Sequence, residues 1–274
     1  MPKVIIHSNN LSLSHLDILS NTLGDKLRQE NNHYWLESSL AVDKIIKLSH
    51  SLKVDINIVP ESFVGNSVKL IMSDMDSTLI SIECIDEIAD FGGLKSKVAE
   101  ITEQAMQGNL DFNQSLRKRV YLLKGINSKV LDMVYKERLK LNSGAENLID
   151  KAKSQGIKFA LVSGGFTYFT DKLKHRLDLD YTKANVLEID NSILTGEVLG
   201  SIVNDQAKQD YLGSICEDLS IKPSQTITIG DGSNDLKMMK ISGLSVAYRA
   251  KEVVQKQADV RINYSGLDAV LDFL

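Results

Sequence analysis

The stretch Leu70-Ile71-Met72-Ser73-Asp74-Met75-Asp76-Ser77-Thr78 places two acids directly behind an apolar run. The apolar residues from Val68 to Met72 predict a short buried strand. In open α/β sheets, ligands bind beyond the carboxyl ends of the strands, which is where Asp74 and Asp76 fall. Two buried carboxylates at this spacing need a cation or a proton between them. We therefore expect the functional site at the end of this strand.

From residue 68 onward, strand-like and helix-like segments alternate along the chain. After strand 68–72, the predicted strands are 157–162, 181–185, 226–229 and 244–248, and the predicted helices are 145–155, 166–177, 206–219 and one through Met238 and Met239. Segments 186–189 and 193–195 predict a β-hairpin with a tight turn at Asp190-Asn191. The predicted fold class is α/β, a doubly wound parallel sheet with a helical cap of about 83–143 inserted after its first strand.

The first 66 residues predict a separate small unit. Strand patterns at 4–6, 34–36 and 54–59 alternate with helix patterns at 11–23 and 41–52, and a linker with Pro60 and Gly65 follows. We therefore predict two domains, a small N-terminal α+β domain at 1–66 and a main domain at 67–274. A unit of about 60 residues is marginally stable alone. We expect it to have a structural or homodimer-forming role rather than that of a ligand sensor.

Composition excludes several classes of protein. The chain has 274 residues, a net charge of −4 and 25% charged residues of both signs, so it has no basic surface for nucleic acid or an anionic membrane. No apolar run is long enough to span a bilayer, and the N-terminus lacks the features of a signal peptide. Two cysteines are too few for a disulfide framework, which indicates a reducing compartment. We expect a cytoplasmic protein that acts on a small molecule.

Four polar clusters follow predicted strands or begin the next helix. They are Asp74/Asp76, Ser163-Gly164-Gly165, Lys208 and Gly230-Asp231-Gly232-Ser233-Asn234-Asp235. Each cluster alone has an ordinary explanation, because such residues are also typical of turns, helix caps and solvated surfaces. Parallel connections, however, bring these strand ends to one edge of the sheet. Their common placement therefore favours a single site.

These side chains suit the chemistry of phosphate esters. Asp74 is ionised at neutral pH and can attack phosphorus without a separate base. Mg²⁺ held by Asp74, Asp231 and a backbone carbonyl would offset the repulsion between carboxylate and phosphate. Asp76 can protonate the leaving alcohol and later deprotonate water. Suitable donors for the phosphoryl oxygens are the Ser163 hydroxyl, the Gly164 amide and Lys208.

The four motifs resemble those of the haloacid dehalogenase superfamily of phosphatases. The resemblance is closer still to its phosphoserine phosphatase family, whose cap helices resemble segments 83–89, 101–108 and 112–120. It covers about residues 68–274. The resemblance implies Mg²⁺-dependent hydrolysis of O-phosphoserine to serine and phosphate through a phosphoaspartyl intermediate, the last step of serine biosynthesis.

The same resemblance assigns roles to individual residues. Asp74 would form the phosphoaspartyl intermediate and Asp76 would be the general acid/base. Mg²⁺ would lie on Asp74, the carbonyl oxygen of Asp76 and Asp231, while Asp235 would hold the waters of the metal. Phosphate would be held by Ser163, Gly164 and Lys208, with Asn234 nearby. In the cap, Glu83 would bind the ammonium group of the substrate and Arg119 would bind the carboxylate of the substrate. Phe112 would close the apolar side of the cap.

The cap residues also make sense without the resemblance. An amino-acid phosphate carries an ammonium and a carboxylate beside its phosphate, and an acid together with a guanidinium would bind both. Taken singly, Glu83 and Arg119 are ordinary surface charges, and Phe112 is an ordinary core residue.

Three alternatives remain open at this point. The first is a phosphatase or phosphotransferase for another amino-acid phosphate, such as phosphohomoserine. The second is a receiver-like signalling domain, which lacks a helical cap and does not need Asp76 as an acid. The third is an inactive scaffold.

Overall fold

The computed structural model describes residues 2–8, 11–24, 27–30, 32–106 and 109–274. Its strands are β1 (Lys3–Ile6), β2 (Arg28–Glu30), β3 (His33–Glu37), β4 (Ile56–Ile58), β5 (Leu70–Ser73), β6 (Lys158–Phe166), β7 (Tyr181–Asp190), β8 (Ile193–Leu199), β9 (Thr226–Gly230), β10 (Leu244–Tyr248) and β11 (Val260–Ile262). Its helices are α1 (Leu13–Leu23), α2 (Val42–Leu52), α3 (Cys84–Phe91), α4 (Lys95–Met106), α5 (Phe112–Leu122), α6 (Lys129–Met133), α7 (Ala145–Ser154), α8 (Thr167–Leu177), α9 (Asp205–Asp218), α10 (Leu236–Ile241) and α11 (Glu252–Gln255).

A seven-stranded sheet with the order β11-β10-β9-β5-β6-β7-β8 forms the centre of residues 68–274. Neighbouring strands are parallel, except that β8 runs antiparallel to β7. Leu70 and Met72 pack into one apolar cluster and Ile71 into another, because successive side chains point to opposite faces of the sheet. These features confirm the predicted α/β class and its doubly wound sheet.

Strand β5 lies at the point where the strand order reverses. The chain continues outward from β5 to β6 and β7, and later returns to the other side of β5 with β9. Ligands of open α/β sheets bind at such a point, outside the carboxyl ends of the strands. Asp74 follows β5 and Asp231 follows β9, so both lie at this position.

The cap between β5 and α7 is helical, as predicted. It contains α3, α4, α5 and α6, and α6 continues into a π-helical turn at Val134–Arg138. Gln107 and Gly108, which end one of the segments that resemble family cap helices, lie outside the described residues. The cap also bonds to the outer hairpin, where the Gly125 amide donates to the Leu194 carbonyl at 2.9 Å.

The N-terminal residues form a second, four-stranded antiparallel sheet with the order β2-β3-β1-β4. With α1 and α2 this gives a β-α-β-β-α-β arrangement, the split form seen in ferredoxin-like folds. The sequence predicted three of these strands. It did not predict β2, because all three of its residues are exposed and polar.

The N-terminal sheet packs on the carboxyl-terminal part of the chain through buried polar contacts. The Asp55 side chain, 1% exposed, accepts hydrogen bonds from the amides of Asn263, Tyr264 and Ser265 at 2.7, 3.0 and 2.7 Å. Asn57 donates to the carbonyl of Arg261 and accepts from its amide, both at 2.8 Å. Because these donors and acceptors are paired, the buried polar groups do not destabilise the contact.

Within the described residues, no helix has the length and apolar character that a membrane span requires.

Candidate active site

The turn that follows β5 carries both aspartates, and each aspartate contacts a different set of side chains and amides. Asp74 is 5% exposed, and the residues after it form a π-type turn at Met75–Leu79. Ser77 has a φ of +57°, in the left-handed region that non-glycine residues rarely adopt. A strained backbone of this kind persists where its surroundings hold it, and it is common at functional sites.

The Asp76 carboxylate is fixed by donors from two elements. Its Oδ1 accepts from the amide of Cys84, the first residue of α3, at 2.8 Å. Its Oδ2 accepts from the Ser163 hydroxyl, which lies in β6, at 3.0 Å. Burial raises the pKa of Asp76, while the Cys84 and Ser163 hydrogen bonds oppose this rise. Asp76 therefore joins the cap and the sheet, and its raised pKa is typical of a general acid.

Lys208 lies between two carboxylates at the base of the site. Its Nζ contacts Oδ1 of Asp74 and donates to Oδ1 of Asp235 at 2.7 Å, and the lysine is completely buried. Although burial alone would lower it, the charges of Asp235 and Asp74 raise the pKa of Lys208 above its ordinary value. Lys208 is therefore cationic and partly neutralises both acids. The sequence placed Lys208 in this site, although a lone lysine is typical of a solvated surface.

The acids around Lys208 form a set that fits a divalent cation. Asp74, Asp231 and Asp235 each offer an oxygen within 4.8 Å of the others. Burial raises the pKa of Asp74 well above its usual range, although Lys208 opposes the rise, and burial together with Asp235 raises the pKa of Asp231 to about 6. Three carboxylates around one lysine can carry more negative than positive charge. A hard cation with oxygen ligands would offset this excess, so the residues fit Mg²⁺.

The acids differ in the hydrogen bonds that their carboxylates already accept. Asp235 uses both oxygens on protein donors, Lys208 Nζ at 2.7 Å and the Gly232 amide at 3.1 Å. Asp231 accepts from the Thr78 hydroxyl at the longer distance of 3.4 Å. Asp231 therefore has more freedom to bind a cation. Asp235 is better suited to hold the waters of the cation than to bind it directly.

Ser163 and Gly164 lie at the carboxyl end of β6 beside the acids. The Ser163 hydroxyl donates to Asp76 and accepts from the Gly165 amide at 2.7 Å. Gly164 packs under the ring of Phe112 at the start of α5, so closely that a Cβ at Gly164 would lie 2.7 Å from the Cζ of Phe112. This contact closes the cap over the end of the sheet. Asn234 lies half-buried on the short turn Ser233–Asp235 near the acids.

Glu83 and Arg119 lie in the cap near Asp76. Ser77 donates a 2.8 Å hydrogen bond to Oε1 of Glu83, which keeps one side open to solvent. Burial of the carboxylate against the site and the charge of Asp76 raise the pKa of Glu83 to about 7. Burial lowers the pKa of Arg119, and Asp86, Glu83 and Asp76 oppose this fall. One acid and one guanidinium thus lie in the cap within range of the charge of Asp76.

Sequence reasoning gave no role to several groups that hold these residues. They are the Ser77 hydroxyl, the Thr78 hydroxyl, the Cys84 amide and the Asn185 side chain. Asn185 donates to the Gly164 carbonyl and accepts from the Val203 amide, both at 2.8 Å. It ends predicted strand 181–185, so the rule that singled out the other polar residues at strand ends could have found it. No sequence signal marks the Cys84 amide.

Comparison with known proteins places this site in a family. The profile of haloacid dehalogenase-like hydrolases matches residues 68–243. A phosphoserine phosphatase from Polaromonas sp. is 49% identical over 224 residues, which are 80% of this chain and 95% of that protein.

Two solved structures support the relationship. A HAD family hydrolase from Salmonella enterica serovar Typhi has a TM-score of 0.90 and 33% sequence identity. The match covers 100% of this chain and 98% of the chain of that hydrolase. A phosphoserine phosphatase described as a phospho-aspartyl intermediate analogue has a TM-score of 0.71 and 40% identity, covering 76% of this chain and 99% of its own. The chain therefore belongs to the haloacid dehalogenase-like hydrolases and, among them, to the phosphoserine phosphatases.

Proposed function

We propose that this phosphatase hydrolyses O-phosphoserine to serine and inorganic phosphate, with Asp74 as the nucleophile. The observation that carries the proposal is that one acid, Glu83, and one guanidinium, Arg119, both lie in the cap close enough to Asp76 for its charge to act on them. This charge pattern matches an ester that carries an ammonium and a carboxylate beside its phosphate. The similarity to phosphoserine phosphatases supports the same substrate.

In the proposed reaction, Asp74 attacks phosphorus and the serine oxygen leaves. The new bond joins an Asp74 carboxylate oxygen to phosphorus, and the bond between phosphorus and the serine oxygen breaks. Asp76, whose pKa burial raises, gives its proton to the leaving oxygen. The ionised Asp76 then takes a proton from water, which attacks phosphorus and releases phosphate from Asp74. Donors for the phosphoryl oxygens are Ser163, Gly164 and Lys208, with Asn234 beside them.

The residues that would hold Mg²⁺ are Asp74, Asp231 and the carbonyl oxygen of Asp76, with Asp235 in a supporting position. When bound, the cation offsets the charge repulsion between Asp74 and a phosphate dianion. Removing divalent cations with EDTA should abolish activity, and adding Mg²⁺ back should restore it. Activity that survives in EDTA would contradict the metal requirement.

The proposed substrate is tested by comparing esters that share the phosphate but differ beside it. We expect kcat/KM for phosphoserine to exceed the values for phosphothreonine, phosphohomoserine and p-nitrophenyl phosphate. Arg119→Ala should raise KM for phosphoserine while changing that for the aryl phosphate little, since the aryl ester has no carboxylate. Equal losses on both esters would contradict a role for Arg119 in binding substrate.

The N-terminal residues are proposed to form a separate domain at 1–66, with the phosphatase domain at 67–274 and its cap at about 83–143. The buried contacts of Asp55 and Asn57 support a stabilising role for the small domain. A homodimer remains a prediction, which light scattering coupled to size-exclusion chromatography would check. Cys84 and Cys216 are both free and buried, which fits the cytoplasm as the proposed compartment.

A further inference from the structure

Among the cap residues that the structure describes, three buried polar atoms have no hydrogen-bond partner. They are Oδ1 of Asp86 on α3 and, on α5, Oγ of Ser115 and Nε of Arg119. Buried polar groups are nearly always paired, so each such atom calls for an explanation. Two of them, an acceptor on Asp86 and a donor on Arg119, are chemically complementary. They also belong to helices that pack against each other.

Asp86 differs from the other acids of α3 in its surroundings. Glu87 pairs with Arg138 at 3.3 Å, and Asp90 pairs with the same guanidinium at 3.5 Å. Burial raises the pKa of Asp86, and the charge that chiefly opposes this rise is that of Arg119. Asp86 in turn is the carboxylate that most strongly favours the charged form of Arg119. Arg119 is therefore the cation that acts most strongly on Asp86, although the two side chains are not bonded to each other, whereas Glu87 and Asp90 pair with Arg138.

The position of Asp86 on α3 also connects it with the substrate. Asp86 comes three residues after Glu83, so the two carboxylates lie on the same side of this segment, one turn apart. Arg119 is close enough to both acids for their charges to raise its pKa, against the effect of burial. In the proposed function, Glu83 binds the ammonium group of the substrate. Asp86 then remains as the acid that can hold the guanidinium.

We propose that Asp86 is a positioning residue: when the substrate carboxylate binds Arg119, the Asp86 carboxylate accepts from the Nε edge of the guanidinium and leaves the remaining N–H groups to the substrate. A guanidinium has five N–H donors in a rigid planar fork, and a carboxylate uses two of them. The Nε edge is therefore available to a second carboxylate. This inference rests on the proposed substrate class but concerns a residue to which the proposed reaction gives no role.

The test is a double-mutant cycle read out on two substrates. Asp86→Asn keeps the size of the side chain and removes its charge. We expect it to raise KM for phosphoserine about tenfold or more, since hydrogen bonds to charged groups are the strong ones. Its kcat/KM for p-nitrophenyl phosphate should change less than about twofold, because that ester has no carboxylate. Asp86→Glu, which restores the charge, should recover part of the loss.

The Arg119→Ala background separates positioning from a general structural effect. If Asp86 acts through Arg119, adding Asp86→Asn to Arg119→Ala should raise KM for phosphoserine by less than about twofold. A full tenfold effect in that background, or equal losses on both substrates, would overturn the proposal. Asp90→Asn, on the same helix but paired with Arg138, is the matched control and should leave both KM values unchanged.

Two further measurements keep the result interpretable. The melting temperature of each variant shows whether it folds, and Asp86→Ser provides a smaller replacement if Asp86→Asn does not. If the wild-type enzyme prefers another amino-acid phosphate over phosphoserine, the proposed substrate is wrong. The same cycle on that ester still tests Asp86, because every such ester carries the carboxylate.

Discussion

The amide of Cys84 donates a 2.8 Å hydrogen bond to Oδ1 of Asp76. Cys84 is the first residue of the first cap helix, and Asp76 is the proposed general acid. The other oxygen of Asp76 accepts from Ser163 in the central sheet. The orientation of this acid therefore depends on the cap and the sheet together. Cap position and acid/base chemistry are linked by one side chain.

Replacing Asp76 by asparagine should stop turnover without disturbing the fold. The asparagine carbonyl can still accept from the Cys84 amide, and its amide can donate to Ser163. The proton that the leaving serine needs is lost, so kcat for phosphoserine should fall about 10²- to 10⁴-fold. Stopped-flow kinetics with p-nitrophenyl phosphate should show a burst of nitrophenol stoichiometric with enzyme, since that leaving group needs little protonation. Turnover at the wild-type rate would leave the reaction without its acid.

The pH dependence of substrate binding should follow Glu83. Burial and the charge of Asp76 raise its pKa to about 7, so lowering the pH from 8 to 6 protonates the carboxylate that binds ammonium. KM for phosphoserine should therefore rise as the pH falls through about 7, by up to about tenfold per pH unit. The phosphate group also titrates, near pH 6, but it does so in p-nitrophenyl phosphate as well.

The ratio of KM for phosphoserine to KM for p-nitrophenyl phosphate therefore reports on Glu83 alone. This ratio should rise at acid pH in the wild-type enzyme and stay flat in Glu83→Gln, which has no charge to lose. A ratio that does not change with pH in the wild-type enzyme would exclude Glu83 as the ammonium site.

Adding a methyl group at Gly164 should hinder closure of the cap. A Cβ there would lie 2.7 Å from the Cζ of Phe112, and overpacking of this kind costs about 1–3 kcal/mol. We expect Gly164→Ala to lower kcat/KM for phosphoserine about tenfold, the equivalent of about 1.4 kcal/mol. Phe112→Leu should recover part of this loss in the double variant. Gly213→Ala is the control, because nothing lies within 4 Å of the new methyl group.

Removing the Asp55 carboxylate should destabilise the protein. Three backbone amides of residues 263–265 would lose a buried charged acceptor. Each hydrogen bond to a charged group contributes about 1.5–3 kcal/mol, so losing all three in Asp55→Ala should lower the free energy of unfolding by at least about 4 kcal/mol. Asp17→Ala, an exposed acid on α1, should change it by less than about 0.5 kcal/mol. Urea denaturation measures both, and equal stabilities would mean that the contact between the sheets contributes little.

Apolar runs made the central sheet predictable from sequence. Predicted strands 68–72, 157–162, 226–229 and 244–248 coincide closely with β5, β6, β9 and β10. Strand β2 could not be predicted, because exposed polar residues form it and its pairing with β3 defines it. The hairpin turn also lies one residue further along than predicted. Asn191 and Ser192 adopt φ values of +47° and +64°, whereas Asp190 still belongs to β7.

The proposed site was predictable where residue type and strand end coincide. Asp74, Ser163 and Asp231 meet because parallel strands end at the same edge of the sheet. Contacts between distant segments could not be predicted. Asp55 bonds to amides more than 200 residues away, and His7 pairs with Asp272 at 2.8 Å in a buried position. No local pattern marks such partners, since tertiary packing alone brings them together.

The central claim is that phosphate becomes covalently bound to Asp74. Mass spectrometry of acid-quenched Asp76→Asn protein, mixed with phosphoserine and Mg²⁺, tests it most directly. We expect one phosphoryl group per chain, located on the peptide that contains Asp74 and absent from the Asp74→Asn/Asp76→Asn protein. An unmodified Asp74, under conditions in which the wild-type enzyme releases phosphate, would contradict it.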